Sequence, residues 1–212
     1  MGAELLAWSF TSGWASGINA YAVVLVMGLL GRFTGAEAIP DALTRTDVLL
    51  AAGILFAVEM VADKIPYLDS AWDTLHTVIR PAAGATVGYL LAHDAAGLDA
   101  AFTAATGGLA ALASHLVKAG IRAGVNTSPE PVSNVTVSAA EDLTVAGVIA
   151  MLLANPWVAA LIAAVLLLVG VWVALFLLRR ILRLKRSYDR WGERFAGPPG
   201  DVRSGRQGPA PG

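Results

Sequence analysis

Cysteine is absent from the 212 residues of this chain. Its absence excludes a disulfide framework, a thiolate metal site, an iron–sulfur cluster and a cysteine nucleophile. Charged residues are also scarce, at 15% of the chain compared with about 25% in an average soluble domain. The motifs G-x-S-x-G, H-E-x-x-H and the P-loop are missing as well, so the sequence favours a protein that is not an enzyme.

Apolar residues are what the chain has in excess, with 56% hydrophobic residues and a mean hydropathy of +0.64. A helix of about 20 residues covers about 30 Å, the hydrocarbon thickness of a bilayer. The sequence predicts an all-α, polytopic transmembrane helix bundle of about five to six membrane segments, including short or broken helices, with the lipid bilayer and not nucleic acid as its partner. The apolar segments are 5–30, 47–62, 81–93, 100–117, 143–154 and 157–178.

Prolines and polar clusters predict where these helices are interrupted. Pro66 predicts that the second helix ends or kinks there, because proline cannot sit inside a straight helix. The two prolines in 126–134 predict a non-helical segment. Ser138 and Glu141 match a capping box and predict that a helix begins there, although this helix start and its loop could instead bind an anionic group.

Basic residues are concentrated at the C-terminus, where nine of the fifteen follow Leu178. The positive-inside rule therefore predicts a multi-pass protein of the cell membrane with a cytoplasmic C-terminus. We expect a transmembrane domain over 1–178, a basic juxtamembrane helix over 179–196 that binds anionic lipid headgroups, and a disordered Pro/Gly-rich tail over 197–212. No basic residue precedes Arg32, so the first apolar segment is expected to be a retained helix and not a cleaved signal.

Whether the short apolar segment 143–154 crosses the membrane decides between six and five crossings, and the count decides where the other basic residues lie. With six crossings, Lys64, Arg80, Lys118 and Arg122 join the cytoplasmic side, whereas with five they face outward. Six therefore fits the charge rule better. With either count, 63–80 and 120–142 lie on the same side of the membrane.

Polar side chains in and beside the apolar segments form the candidate site. A charge at the bilayer centre costs about 2.5–3.5 kcal/mol, so these charges are expected to face the bundle interior, a water-filled cavity or the interface. We expect 63–80 and 120–142 to pack together, with a carboxylate of the first segment within salt-bridge distance of Lys118 or Arg122 and with His76 and His115 nearby. The candidate residues are Glu59, Asp63, Lys64, Asp69, Asp73, His76, Arg80, His115, Lys118, Arg122, Glu130, Asn134, Glu141 and Asp142.

Three interpretations of these charges remain open. They could be salt bridges that hold helix ends together, or they could line a vestibule for a solute or ion. A third alternative is a divalent cation held by Asp69, Asp73, His76 and His115, because carboxylate and imidazole groups at helical spacing can converge on a metal. No other cofactor is expected.

Three stretches of the chain together resemble the bacterial family catalogued as domain-of-unknown-function family 4126. They are Thr11–Ala20, the residues from Glu59 to Gly84, and those from Ser128 to Asp142. The resemblance covers roughly residues 5–178. It implies an integral membrane protein of unassigned activity and supplies no catalytic residues.

The function that the sequence favours is a small solute or ion transporter or channel, with a polar vestibule formed by 63–80 and 120–142. The alternative is a non-transporting scaffold or partner protein of the cell envelope, whose charges are structural. A membrane enzyme acting on a lipid headgroup or peptide is a third hypothesis. A homo-oligomer is compatible with each of these functions.

Overall fold

The computed structural model is all-helical over the part of the chain that it describes, which confirms the predicted fold class. It describes residues 2–65, 68–92, 97–125 and 131–195, without the side chains of 69–70, 124–125, 131–134 and 184–195. The helices are α1 (Ala3–Thr34), α2 (Asp41–Thr44), α3 (Thr46–Ala62), α4 (Leu68–Leu91), α5 (Leu98–Val125), α6 (Pro131–Ala154) and α7 (Pro156–Phe195).

Four of these helices contain stretches long and apolar enough to cross a membrane. The stretches are Ala3–Thr34, Leu98–Ala123, Val135–Ala154 and Pro156–Arg183. The apolar surface of α7 faces outward, with Leu168 69% and Trp172 68% exposed. An outward apolar surface of this kind fits lipid and not water, so the chain is a helical membrane protein.

α1 is the central helix, and its contacts give the direction of α5. Ser9 Oγ donates to the Thr103 carbonyl, and Lys118 Nζ donates to the Ile18 carbonyl. Residue numbers rise together along both helices, so α1 and α5 are parallel.

α3 and α4 follow one another along α1, and both run antiparallel to it. α3 lies beside the C-terminal half of α1, where Gly28 packs against Leu49. α4 lies beside the other half, where Tyr21 meets His76 and Ser9 packs against Gly88. The two helices therefore act as two pieces of one interrupted traverse of the bundle.

α7 is parallel to α5, because Val117 packs on Gly170 and Gly120 packs on Ala174. α6 joins α7 through Asn155 alone and runs in the opposite direction. The chain therefore traverses the bundle five times, and its first and last helices point the same way. The total is five, but these are not the five crossings that the sequence offered as an alternative to six: 143–154 belongs to a spanning helix, and α3 and α4 share a traverse that the sequence counted as two.

The interrupted traverse also resolves the conflict with the charge rule. The sequence contains no Lys or Arg in 1–31, 81–117 or 123–178. These ranges include every segment at the end of the bundle where α1 begins. Within the described part of the chain, the basic residues therefore lie in the network described below, just after α3 at Lys64, or toward the opposite end, where α7 emerges.

Several local predictions are confirmed. α3 ends at Ala62, before Pro66, and α7 continues as a helix well past Leu178. α4 passes through Pro81 and joins the short apolar stretch 81–93 to the polar stripe before it.

The predictions for the start of α6 are wrong. Residues 131–134 are helical, because Pro131 occupies the first helical position, where a missing N–H is tolerated. Ser138 therefore lies inside α6 and does not cap it. The apolar run 143–154 is the second half of a helix long enough to span. Residues 126–130 lie outside the described part of the chain.

Glycines allow α1, α4 and α5 to approach closely. A Cβ on Gly13 would lie 2.6 Å from the Cα of Gly107, and one on Gly84 would lie 2.7 Å from the Cβ of Ala111. Helices in lipid associate through such small residues, because packing replaces the missing hydrophobic driving force.

The close packing predicts opposite effects for the same substitution at two glycines. Gly13→Ala should lower the melting temperature in detergent, because the new methyl group meets the backbone of α5, and overpacking typically costs about 1–3 kcal/mol. Gly147→Ala should leave it unchanged or raise it, because a Cβ there meets open space. Equal melting temperatures for the two variants would contradict the packing.

Candidate functional site

A buried network of charged side chains lies between α3, α4, α5 and α6. We call it the charge network. Its members are joined by ion pairs and are inaccessible or nearly so, apart from one carboxylate, Glu141. They are Glu59, Asp63, Asp73, Arg80, Lys118, Arg122 and Glu141.

Arg80 holds the first half of the charge network. Its Nη2 lies 2.7 Å from Glu59 Oε1, and its Nη1 lies 2.9 Å from Asp73 Oδ1. The side chains of Arg80 and Glu59 are both 0% exposed. The second carboxylate oxygen of Glu59, Oε2, is buried without a hydrogen-bond partner. Arg80 thus links α3 to α4 through the hydrogen bond to Glu59, and the bond to Asp73 holds its side chain within α4.

Lys118 and Arg122 of α5 hold the second half. Both bases contact Asp63 Oδ2 at 3.0 Å, and both contact Glu141 Oε2, at 3.4 Å and 2.7 Å respectively. The expected pairing of a carboxylate from the first segment with Lys118 or Arg122 is therefore confirmed.

Both histidines adjoin the charge network, as expected, and their hydrogen bonds fix their tautomers. Arg80 Nη1 donates to His115 Nδ1 at 2.9 Å, so that nitrogen carries no proton and the ring is neutral. Its Nε2 then donates to Thr77 Oγ1. His76 Nδ1 donates to the Trp72 carbonyl, and its Nε2 contacts the Tyr21 hydroxyl at 3.0 Å.

α1 is broken where it passes the charge network. Asn19 is non-helical, with φ −151° and ψ 98°. Its Oδ1 accepts the Ala22 N–H at 2.9 Å and so caps the second half of the helix, while its Nδ2 donates to Asp142 Oδ1 at 3.0 Å. The carbonyl of Ile18, freed by the break, accepts from Lys118 at 2.9 Å. The break thus supplies polar backbone and side-chain groups to the middle of an apolar bundle.

Carboxylates outnumber bases at this site. The charge network has four carboxylates and three bases, and Asp142 beside it makes a fifth carboxylate. Asp142 contacts Asn19 and, in the described part of the chain, no base. With every group ionised, these eight described groups carry a net charge of −2.

Most of the candidate residues are brought together, but not all. Lys64 lies apart and donates to the Met60 carbonyl of its own helix end. Glu130 and the side chains of Asp69 and Asn134 lie outside what the structure describes. Within the described residues, no group of three or more histidines and carboxylates is arranged to hold a metal ion. The divalent cation, whose ligand set includes Asp69, stays a prediction.

The sequence reasoning missed Asn19, Tyr21 and Thr77. Asn19 was open to prediction, because an amide in the middle of an apolar span needs a partner inside the bundle. Tyrosine and threonine are common in membrane helices, at the interface or bonded to the backbone of their own helix. The contacts of Tyr21 and Thr77 with the histidines could therefore be seen only in the structure.

The shared role of Asp63 predicts a large loss of stability when its charge is removed. Asp63→Asn should destabilise the fold by about 3–5 kcal/mol, because it leaves two bases buried with one carboxylate fewer. Thermal unfolding in detergent should show a drop of roughly 10 °C.

The matched control is Asp47→Asn, which removes an acid from an ion pair with Arg45 in which both side chains are 66% exposed. We expect little change there, because exposed pairs contribute little. A drop as large as that of Asp63→Asn would contradict the importance of burial.

The family comparison agrees with the predicted resemblance. The profile of a domain of unknown function, DUF4126, matches residues 6–175, which include the whole charge network. Neither a curated protein nor a solved structure shows significant similarity to the chain. The match covers well over half of the sequence, and the chain therefore belongs to the DUF4126 family.

Proposed function

We propose that this protein is a small secondary transporter and that the charge network, together with Asn19 and Asp142, is its ion-coupling site. One observation carries the proposal: two traverses of the bundle are interrupted at the same place. α1 breaks at Asn19 and α3 ends at Ala62, and both interruptions adjoin the charge network. Broken helices that meet ionisable groups at mid-membrane are typical of secondary transporters.

The proton is the coupling ion that the site fits best. Two surplus negative charges in an apolar bundle are costly, and a bound proton neutralises one of them with no further ligands. Asp142 is the carboxylate that makes no ion pair with a base among the described residues, so it is our candidate for the proton-binding group. Its only hydrogen-bond partner in the described residues, Asn19, lies at the break of α1.

Protonation of Asp142 would change how the second half of α1 is held. An ionised carboxylate accepts the Asn19 N–H in a charge-assisted hydrogen bond, roughly twice as strong as a neutral one. Neutralising Asp142 weakens this bond between α1 and α6. Asn19 also caps residues 20–34, so the contact links the proton to the position of that half-helix.

A charge-displacement measurement tests the coupling site without knowledge of the substrate. Proteoliposomes on a solid-supported membrane should give a transient current after a rapid pH jump, because protons bind inside the protein. Asp142→Asn should reduce the transient to the level of protein-free liposomes, whereas Asp47→Asn should retain it. A wild-type signal equal to that of protein-free liposomes would favour the non-transporting scaffold instead.

We further propose that the C-terminus is cytoplasmic and that residue 2 lies on the outer side of the cell membrane. Five traverses support opposite sides for the start of α1 and the end of α7, and the end of the bundle where α1 begins has no Lys or Arg. Arg179, Arg180 and Arg183 are exposed where α7 emerges and suit anionic headgroups, at about 1 kcal/mol each.

Reporter fusions test this orientation. Green fluorescent protein at the C-terminus should fluoresce, and alkaline phosphatase inserted after Ala92 should be active, because the α4–α5 connection lies at the opposite end. Activity of the phosphatase at the C-terminus, or its inactivity after Ala92 in a folded protein, would refute the orientation.

A further inference from the structure

A pocket of about 290 Å³ lies beside the charge network, between α1, α5, α6 and α7. Its volume is close to the lower end of the range for small-molecule sites, roughly 300–1,000 Å³. The walls are mainly apolar, and they include Trp14, Ile18 and Gly170. Lys118 and Glu141 are its only charged lining residues within the described part of the chain. The pocket thus combines an apolar body with one polar end.

The two charged groups at that end are not equally available to a ligand. Lys118 donates to the Ile18 carbonyl and to Asp63, and it also pairs with Glu141. Two of these contacts are hydrogen bonds and the third is an ion pair of 3.4 Å, and the side chain is 2% exposed. Lys118 therefore has little capacity left for an anionic ligand.

Glu141 keeps an oxygen for a ligand. Its side chain is 18% exposed, and both bases contact it through Oε2. In the described residues, no base engages Oε1. Asp142, the neighbouring carboxylate without a base, adds negative charge nearby. The accessible end of the pocket is therefore electronegative.

We propose that this pocket binds a small amphiphilic cation, with its apolar body between α5, α6 and α7 and its positive head beside Glu141. Trp14 lines the same pocket and offers an aromatic face, which attracts quaternary ammonium groups. This inference rests on the proposed transport function only where it makes the cation the transported substrate, and the binding of the cation can be tested without it. An ionised Asp142 attracts a cation at Glu141, and a protonated Asp142 does not. The cation and the proton therefore compete.

Equilibrium binding to purified protein in nanodiscs tests the proposal separately from transport. The probe is radiolabelled benzyltrimethylammonium. Its charge is permanent, so any effect of pH on binding arises from the protein and not from deprotonation of the probe. We expect saturable binding of one cation per chain above empty nanodiscs, at least tenfold tighter at pH 8 than at pH 5. Benzenesulfonate and benzyl alcohol should not displace it.

Two variants locate the site. Glu141→Gln should weaken binding at least tenfold, whereas Glu37→Gln, the same change in the exposed connection after α1, should have no effect. Because Glu141→Gln also disturbs Lys118 and Arg122, Ala140→Phe serves as a second variant: it narrows the exposed edge of the pocket without changing a charge. It should also weaken binding at least tenfold in a protein that elutes as a folded monodisperse species.

Each outcome has a distinct meaning. No saturable binding, equal displacement by benzenesulfonate or benzyl alcohol, or unchanged binding in Ala140→Phe would overturn the cation site. A proton transient without cation binding would leave the transport proposal standing alone. Cation binding without a proton transient would support the pocket and refute proton coupling.

Discussion

The burial of six ion-paired side chains in an apolar helical bundle is the constraint on which the rest of this structure depends. The three bases cannot leave the interior without breaking their contacts. Arg80 pairs with a carboxylate of α3, and Lys118 and Arg122 pair with one of α6, while Lys118 also donates to α1. An unpaired buried charge is costly, so each base fixes the position of the carboxylates around it. The order of the helices around α1 follows from this requirement together with the close glycine packing at the other end.

The same constraint explains why two traverses are interrupted. A continuous α1 would bond its own carbonyls and leave Lys118 one acceptor short. The break at Asn19 frees the Ile18 carbonyl for Lys118, and the Asn19 side chain satisfies both the new helix start and Asp142. Non-helical backbone at membrane depth is tolerated where it is buried in protein, as it is here.

Much of this arrangement could be predicted from the sequence, and the failures have identifiable causes. The stripe Asp73, His76 and Arg80 has helical spacing, and the cost of a charge in lipid turns it inward, so its burial was predictable. The crossing count could not be predicted, because the apolar segments 47–62 and 81–93 each suggest a separate crossing. Only the contacts of α3 and α4 with α1 show that the two helices share one traverse. The prediction of a non-helical segment over 126–134 failed at Pro131 for a local reason, because proline interrupts a helix from inside but is favoured at its first position.

The candidate site was predicted as a set of residues but not as a mechanism. Spacing along single helices showed which side chains share a face, and charge complementarity predicted that the faces meet. Neither revealed that Asp142 makes no ion pair within the described residues or that Asn19 connects it to the break in α1, because the contact between Asn19 and Asp142 joins residues more than a hundred positions apart.

The central claim is that the protonation of Asp142 controls the position of the second half of α1. The absence of native cysteine allows spin labels at Phe33 and Leu168, both exposed, without background labelling. Electron–electron distance measurements in nanodiscs at pH 8 and pH 5 report directly on this movement. The account predicts a distance distribution that shifts between the two pH values in the wild type and stays fixed in Asp142→Asn. A wild-type distribution that is identical at both pH values would contradict it.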